Sequence, residues 1–464
     1  MREYEWRDWD DDRPGAFSLL WKFMRILGIL FVVLLAGLVG VLALLSGGTE
    51  IKLQPAVKAI GTETPVNVQL VNSRGVRAVA AFVEQDGARH KVFEQENPDA
   101  SRLFFWRRND PPRDVKFTAG KKQAPALKEG KARLVVSAQS NDLLAKTTDA
   151  AWDVDVITRP PTLSVDGAQH YINQGGSELV TFTVSGYWTE AGVRVGKYTF
   201  RSFPLAGNEN ERFSLFAYPW DVPPGTVPVV YARNPAGTEV QGRFWHKVFP
   251  KSFRKRDLEL PDTFIDKVIN EIDAGGSGDR VQRFLKINGE MRRQNNQTLA
   301  DLRLKTEPRF LWSGPFVQLS NSKVESQFAD TRSYLYQGKK IDEQTHLGFD
   351  LSVTANVPVA ASNDGRVVLA ENLGIYGNCV VVDHGYGLQS IYAHLSKIDV
   401  KPGDAVKKGQ TVGKSGATGL AGGDHLHFSM QVDGVQVNPV EWWDGHWIQD
   451  RILSKVRGST PAPK

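Results

Sequence analysis

The chain has 464 residues, a formal net charge of +5, 43 glycines, 24 prolines and one cysteine. That length exceeds one ordinary core and points to roughly two to four domains, and the Gly and Pro content suits a turn-rich β chain rather than a helical bundle. The small, dispersed charge carries no nucleic-acid footprint, and Cys379, alone in the apolar run CVVV, excludes an intramolecular disulfide and reads as a small buried hydrophobe.

Residues 1–25 read as a cytoplasmic tail and residues 26–46 as a membrane-spanning helix. The run ILGILFVVLLAGLVGVLALL holds no charge. At about 1.5 Å per residue it is about 30 Å long, the thickness of a bilayer core. It exceeds the apolar stretch of a cleaved signal peptide, and its leader MREYEWRDWDDDRPG is rich in acid. An uncleaved, single-pass anchor in the inner (plasma) membrane is therefore expected. Arg13, Lys22 and Arg25 precede the span, so the positive-inside bias places the C-terminal domains in the periplasm or outside the cell.

Residues 47–158 and 159–250 show short alternating runs such as PVNVQLVNS, ARLVVSAQS, LVTFTVSG and VPVVYARN, bounded by turn residues. These predict two β-sandwich-like domains, with Arg159-Pro160-Pro161 as the break. The histidines here, His90, His170 and His246, are isolated and read as structural. Residues 251–312 change period: PDTFIDKVINEID opens with helix N-terminal residues, and DRVQRFLKINGEMRRQNNQTLADLRLKT continues as a polar helix interrupted near Gly289. This predicts a short helical spacer or brace. Residues 446–464 read as a C-terminal tail.

β patterning returns in residues 313–445, which hold five of the nine histidines. In HLGFD, His346 and Asp350 lie four apart. On a straight strand they would be about 13 Å apart, and Gly348 is where the backbone can bend to bring them together. In GDHLHF, His425 and His427 are i and i+2 on a strand, so both imidazoles face one side, roughly 6.5–7 Å apart. In SIYAHLSKI, Ile391, Ala393 and Leu395 alternate with Tyr392, His394 and Ser396, so His394 shares a face with two polar residues. His384 in VDHGYG reads as structural, and His446, among tryptophans, as packing. Asn378 reads equally as a turn residue or a groove residue, and Tyr334, Tyr336 and Tyr392 are candidate substrate contacts.

Taken together, HLGFD, GNCVVVDHGYGLQSIYAHLS, KPGDAVKKGQTVGKSGATG, GDHLHF and VNPVEW resemble the LytM-like, lysostaphin-type zinc endopeptidases of bacterial cell walls, over about residues 313–445. The stretch SQFADTRSYLYQGKK resembles that family's lead-in, with Ala329 where the family has Gly. The resemblance implies an antiparallel β peptidase domain, with one zinc ion held by His346, Asp350 and His427 and with His394 and His425 as the catalytic histidines. Two neutral imidazoles and a carboxylate suit a catalytic zinc with an open fourth position. One of the catalytic pair moves the proton and the other steadies the oxyanion, with His425 favoured as the base. The implied partners are peptidoglycan peptides, the membrane through residues 26–46, and a regulatory protein. An alternative is a non-catalytic regulator of another wall hydrolase on the same fold, though such proteins commonly lack ligands that this chain retains. A third reading takes KPGDAVKKGQTVGKSG as a carrier-domain hairpin with Lys414 at its turn, which leaves the histidines unexplained.

Overall fold

The computed structural model describes residues 16–97, 105–205 and 207–456. The chain divides into two compact units, residues 1–159 with 235–238, and residues 160–234 with 239–464.

In the first unit, helix α1 runs Ala16–Leu44. Its stretch Leu20–Leu44 is long and apolar enough to cross a membrane, as an anchor or a signal sequence would be. Residues 20–41 are exposed on every side, so no apolar face is buried against protein. The helix starts before the expected boundary at residue 26. Residues 16–25 are helical rather than tail because AFSLLWKFMR is apolar and free of Gly and Pro, and the Arg25 guanidinium lies 3.6 Å from the Trp21 ring. The rest of the expected tail, residues 1–15 with Arg13, lies outside the described residues, as do residues 457–464. The β part of this unit packs a three-stranded sheet (Glu50–Leu53, Thr64–Val71, Arg113–Ala119) with a five-stranded one. Alternation drives it: Val66, Val68 and Leu70 point into a core with Val79, Ala81, Leu134 and Val136.

The second unit begins with two four-stranded sheets built from residues 162–242. The segment after them is more than a helical spacer. Its strand Lys255–Glu259 pairs in parallel with Asp330–Tyr336, in register from Lys255↔Thr331 to Glu259↔Leu335. Helix α2 (Asp262–Ile272) follows Pro261 and buries Ile265, Val268 and Ile269. Helix α3 (Arg280–Lys286) is capped by Asp279, which accepts from the Gln282 N–H. Around Gly289 the helix widens into a π-bulge, Ile287–Met291, before helix α4 (Arg292–Asp301). These helices share a core with Val381, Ile391 and Ala393, on one face of a large antiparallel sheet. Each buried aliphatic side chain there contributes roughly 1.5–3 kcal/mol.

That sheet runs, in spatial order, Lys323–Ser326, Phe349–Ser352, His425–Val432, Leu388–Leu395, Asn378–Asp383, Gly365–Asn372 and Ala405–Val406, with Val435–Val437 beside His425–Val432. The strands Asn378–Asp383 and Leu388–Leu395 are covered on both faces, which accounts for their unbroken apolar character. Cys379 is fully buried within them. Lys414 ends the strand Thr411–Lys414, paired with Pro358 and Lys397, rather than sitting at a turn tip. That removes the geometry a carrier-domain lysine needs.

Three expected boundaries do not correspond to breaks in packing. The second sandwich and the C-terminal sheet share one hydrophobic core. In it Phe213, Phe310 and Tyr386 contact one another, with ring centroids 4.7–5.8 Å apart. Trp312, on the spacer side of residue 313, is buried in the same core. The expected tail is packed too: Ile448, Ile452 and Val456 are buried, because they recur at helical spacing and face this core. Arg201 reinforces the union through Asp433, which accepts from the Arg201 backbone N–H at 2.8 Å and from Nε at 2.7 Å.

Glu441 adds a pH-sensitive tie. Its carboxylate is buried and accepts from Asn173 Nδ2 at 2.8 Å and the Ser177 N–H at 2.7 Å. Burial raises its pKa to about 7, aided by nearby Glu178 and opposed by those hydrogen bonds and Lys251. The folded state thus holds this proton more tightly than the unfolded chain does. The resulting stabilisation is complete below the unfolded value and is lost as pH rises through about 7. The expected result is a thermal midpoint that falls between pH 5 and 8 in the native chain relative to Glu441→Gln, by the equivalent of roughly 3 kcal/mol. Parallel pH profiles for the two proteins would show that Glu441 does not titrate this way.

Candidate metal centre

The strand Lys339–His346 ends at its histidine, and Phe349–Ser352 begins three residues later in a different sheet. The bend at Leu347-Gly348 is the one anticipated for HLGFD, and it brings His346 Nε2 within 2.9 Å of Asp350 Oδ1. Asp350 pairs in register with His427 on the next strand. His427 Nδ1 lies 3.0 Å from the same Asp350 oxygen and 2.9 Å from His346 Nε2. His346, Asp350 and His427 thus present three ligand atoms to one point, and all three residues are buried.

The donor set fits a metal ion. His346 Nδ1 lies 3.0 Å from the Gln327 carbonyl oxygen, which can only accept. The ring proton is therefore on Nδ1, and Nε2 offers its lone pair. That lone pair faces a carboxylate oxygen and a second imidazole nitrogen, so three converging atoms would have to share a single proton, on His427 Nδ1. One cation satisfies all three. His427 Nε2 is buried with no hydrogen-bond partner among the described residues, so no hydrogen bond fixes this ring from its far nitrogen.

The electrostatics agree. Burial pushes the imidazoles of His346 and His427 below their ordinary range, His427 to about 4, which keeps both neutral as ligands must be. Burial opposes ionisation of Asp350, but the surrounding imidazoles outweigh it and hold the carboxyl well below its usual value. Arg332 Nη2 donates to the other oxygen of this carboxylate, Oδ2, at 2.6 Å. Arg332 was not among the residues singled out in the sequence, although it lies in the lead-in SQFADTRS. Ala329 in the same lead-in adopts φ +62°, the left-handed conformation that favours glycine. Its N–H donates to the His346 carbonyl at 2.7 Å.

The two further histidines join the cluster by different routes. His425 shares the strand face of His427, as i, i+2 spacing requires, and its Nε2 is 3.5 Å from Asp350 Oδ1. Burial lowers its pKa, but the Asp350 carboxylate more than offsets this and holds it above the ordinary value. His394 corrects the simple alternation. Tyr392 pairs with Phe428, and Ala393 with His427, so a regular strand would turn His394 to the Tyr392 side, away from the site. Instead His394 has φ +62°, and this reversal brings its ring 4.9 Å from that of His425 and 5.7 Å from that of His427, centroid to centroid. Burial drives its pKa well down. The Nδ1 atoms of both rings are held by backbone carbonyls, His394 by Thr418 and His425 by Gly423, each at 2.8 Å. Both rings therefore turn Nε2 toward the interior of the site, that of His425 toward Asp350, and both line one open space.

That space is a cleft of about 400 Å³, walled by Leu260, Pro261 and Phe264 of the helical segment, and by Tyr334, Tyr376 and Arg332. Of the candidate tyrosines only Tyr334 lines it. The Tyr336 hydroxyl donates to Asp262, and Tyr392 is buried on the other face, where its oxygen accepts from the Ser362 N–H at 2.6 Å. Tyr376, which carried no sequence signal, stands over the His427 ring at 5.7 Å. Asn378 is a structural residue, donating to the Leu395 carbonyl. His384 is also structural: buried, bonded to the Asp364 carbonyl and Ser390, and lowered to about 4 by burial.

Two imidazoles and a carboxylate converging on one point, with two more imidazoles beside them, define a candidate mononuclear metal centre on an antiparallel sheet. Residues 344–439 match peptidase family M23, and the chain carries an M23 peptidase domain there. It is 39% identical over 120 residues to a protein of Haemophilus influenzae described as an uncharacterized metalloprotease, which covers 26% of this chain and 25% of that protein. It is 44% identical over 96 residues to the peptidoglycan DD-endopeptidase ShyA of Vibrio cholerae serotype O1, covering 21% of this chain and 22% of that protein. The matches thus span about a quarter of the length of these curated relatives. A solved structure of the catalytic domain of the antimicrobial peptidase lysostaphin from Staphylococcus simulans covers 31% of this chain and 96% of its own, with 28% identity and a TM-score of 0.20.

Proposed function

We propose that this chain is a zinc endopeptidase that hydrolyses peptide cross-links of bacterial peptidoglycan, with α1 as its membrane anchor. The observation that carries the reading is the convergence of His346 Nε2, Asp350 Oδ1 and His427 Nδ1 within one hydrogen-bond distance of each other, beside two further imidazoles whose Nδ1 atoms are held by backbone carbonyls. His346, Asp350 and His427 would hold the zinc, which supplies Lewis acidity that lowers the pKa of water and polarises a carbonyl. Arg332 orients Asp350 through the oxygen not aimed at the ion. His425, the imidazole beside Asp350, takes the proton of the attacking water at Nε2 and returns it to the leaving amine. His394, neutral with its proton held on Nδ1 by the Thr418 carbonyl, presents Nε2 as an acceptor that orients the attacking water at the substrate. The apolar wall of Leu260, Pro261 and Phe264 excludes water from one side of the cleft.

Because the peptidase core extends to residues on both sides of 313–445, the test uses the full-length chain in detergent. Loaded with zinc, it is expected to hold about one ion and to release peptides with new amino termini from purified peptidoglycan, read by mass spectrometry. His425→Ala is expected to lower kcat roughly 100-fold or more while keeping the metal. A folded, zinc-loaded chain that cleaves neither stem peptides nor a glycyl peptide would sink the reading.

A further inference from the structure

Helix α2 lies outside the stretch that matches the peptidase family, yet its polar face grips the loop leading into GDHLHF. Lys267 Nζ donates to three carbonyls of that loop, those of Ala417 at 2.5 Å, Gly419 at 3.1 Å and Ala421 at 3.0 Å. One turn on, Glu271 Oε1 accepts from the Gly419 N–H at 2.5 Å, and its other oxygen lies 3.3 Å from Lys267 Nζ. An ammonium shared by three carbonyls, with a carboxylate on the intervening amide, pins the loop at alternate residues. The residue between two of those anchors is Thr418. Its carbonyl accepts from His394 Nδ1 at 2.8 Å, and its hydroxyl donates to the Leu395 carbonyl at 2.9 Å. His394 depends on such support because its left-handed backbone is disfavoured for any residue with a Cβ. The helix is itself anchored by its buried Ile265, Val268 and Ile269.

We propose that Lys267 and Glu271 are positioning residues for His394, holding the Thr418 carbonyl where it fixes the imidazole with Nδ1 protonated and Nε2 turned to the cleft. This rests on reading His394 as the group that orients the attacking water. The three candidate metal ligands lie on strands and the HLGFD bend, not on this loop, so the clamp and the ion are separable.

The test compares Lys267→Met, Lys267→Arg and Glu271→Gln in the zinc-loaded full-length chain acting on purified peptidoglycan. In Lys267→Met and Glu271→Gln, kcat is expected to fall about tenfold to 100-fold, with KM changed less than about twofold and zinc content unchanged. Lys267→Arg, which keeps a cationic donor, should recover most of the loss. Hydrogen–deuterium exchange of the zinc-free chain should show protection lost at residues 416–424 in Lys267→Met. Native kcat in both disruptive variants overturns the proposal. So does a loss of zinc in step with kcat, which would make α2 a general support of the fold. If Lys267→Met does not fold, Glu271→Gln, nearly isosteric, decides. If the native chain cleaves nothing, the enzymatic reading fails, whereas unchanged exchange at 416–424 overturns the clamp by itself.

Discussion

Asp350→Asn is expected to leave less than about one-thousandth of the native activity on peptidoglycan and to weaken zinc binding by more than about 100-fold. The change is nearly isosteric, so the effect is one of charge. Asp350 Oδ1 faces His346 at 2.9 Å and His427 at 3.0 Å, while Oδ2 receives Arg332 at 2.6 Å. An amide supplies no negative charge to the ion. It also leaves the largely buried Arg332 guanidinium without its counter-ion, a defect of about 3–5 kcal/mol when one partner of a buried pair is removed. Stability should therefore fall along with metal binding. The double variant Asp350→Asn with Arg332→Met should regain much of the stability but none of the zinc. Metal content by atomic spectroscopy and urea denaturation separate the two effects. Equimolar zinc and native turnover in Asp350→Asn would exclude this carboxylate from the site.

Gly348→Ala is expected to lower activity roughly 100-fold and stability by about 1–3 kcal/mol. A Cβ at Gly348 would lie 2.6 Å from His427 Nε2 and 2.8 Å from the Phe428 carbonyl oxygen. The carbonyl belongs to a central strand and cannot withdraw, so either His427 rotates away from the other ligands or the HLGFD bend opens. Gly423→Ala is the matched control. It lies in the loop beside His425, yet a Cβ there meets nothing within 4 Å. Zinc titration and thermal melts of the two variants should diverge sharply. Equal behaviour would show that the close packing of Gly348 on His427 does not hold the ligand in place.

The glycine is instructive because its role was half legible. In HLGFD it marked a place where the backbone could fold His346 and Asp350 together, and the bend is there. What the glycine touches depends on a strand some eighty positions later, and no local spacing rule reaches that far. The same division runs through the site. Period-two spacing put His425 and His427 on one face, because side-chain alternation is a property of the strand itself. The same rule misplaced His394, since one left-handed backbone angle reverses the face and only the loop that supports it reveals why.

By itself, then, the sequence determined the apolar helix, the β character, the bend, and the residue types able to bind a metal, all of which follow from local periodicity and side-chain chemistry. The tertiary structure decided what joins to what. Arg332 serves Asp350, Lys267 and Glu271 serve the histidine loop, and the peptidase sheet shares one buried core with the second sandwich and another with the helices. Those assignments rest on contacts between segments far apart in the chain, which are selected by burying apolar surface and pairing buried charge, and neither leaves a periodic mark in the amino-acid order.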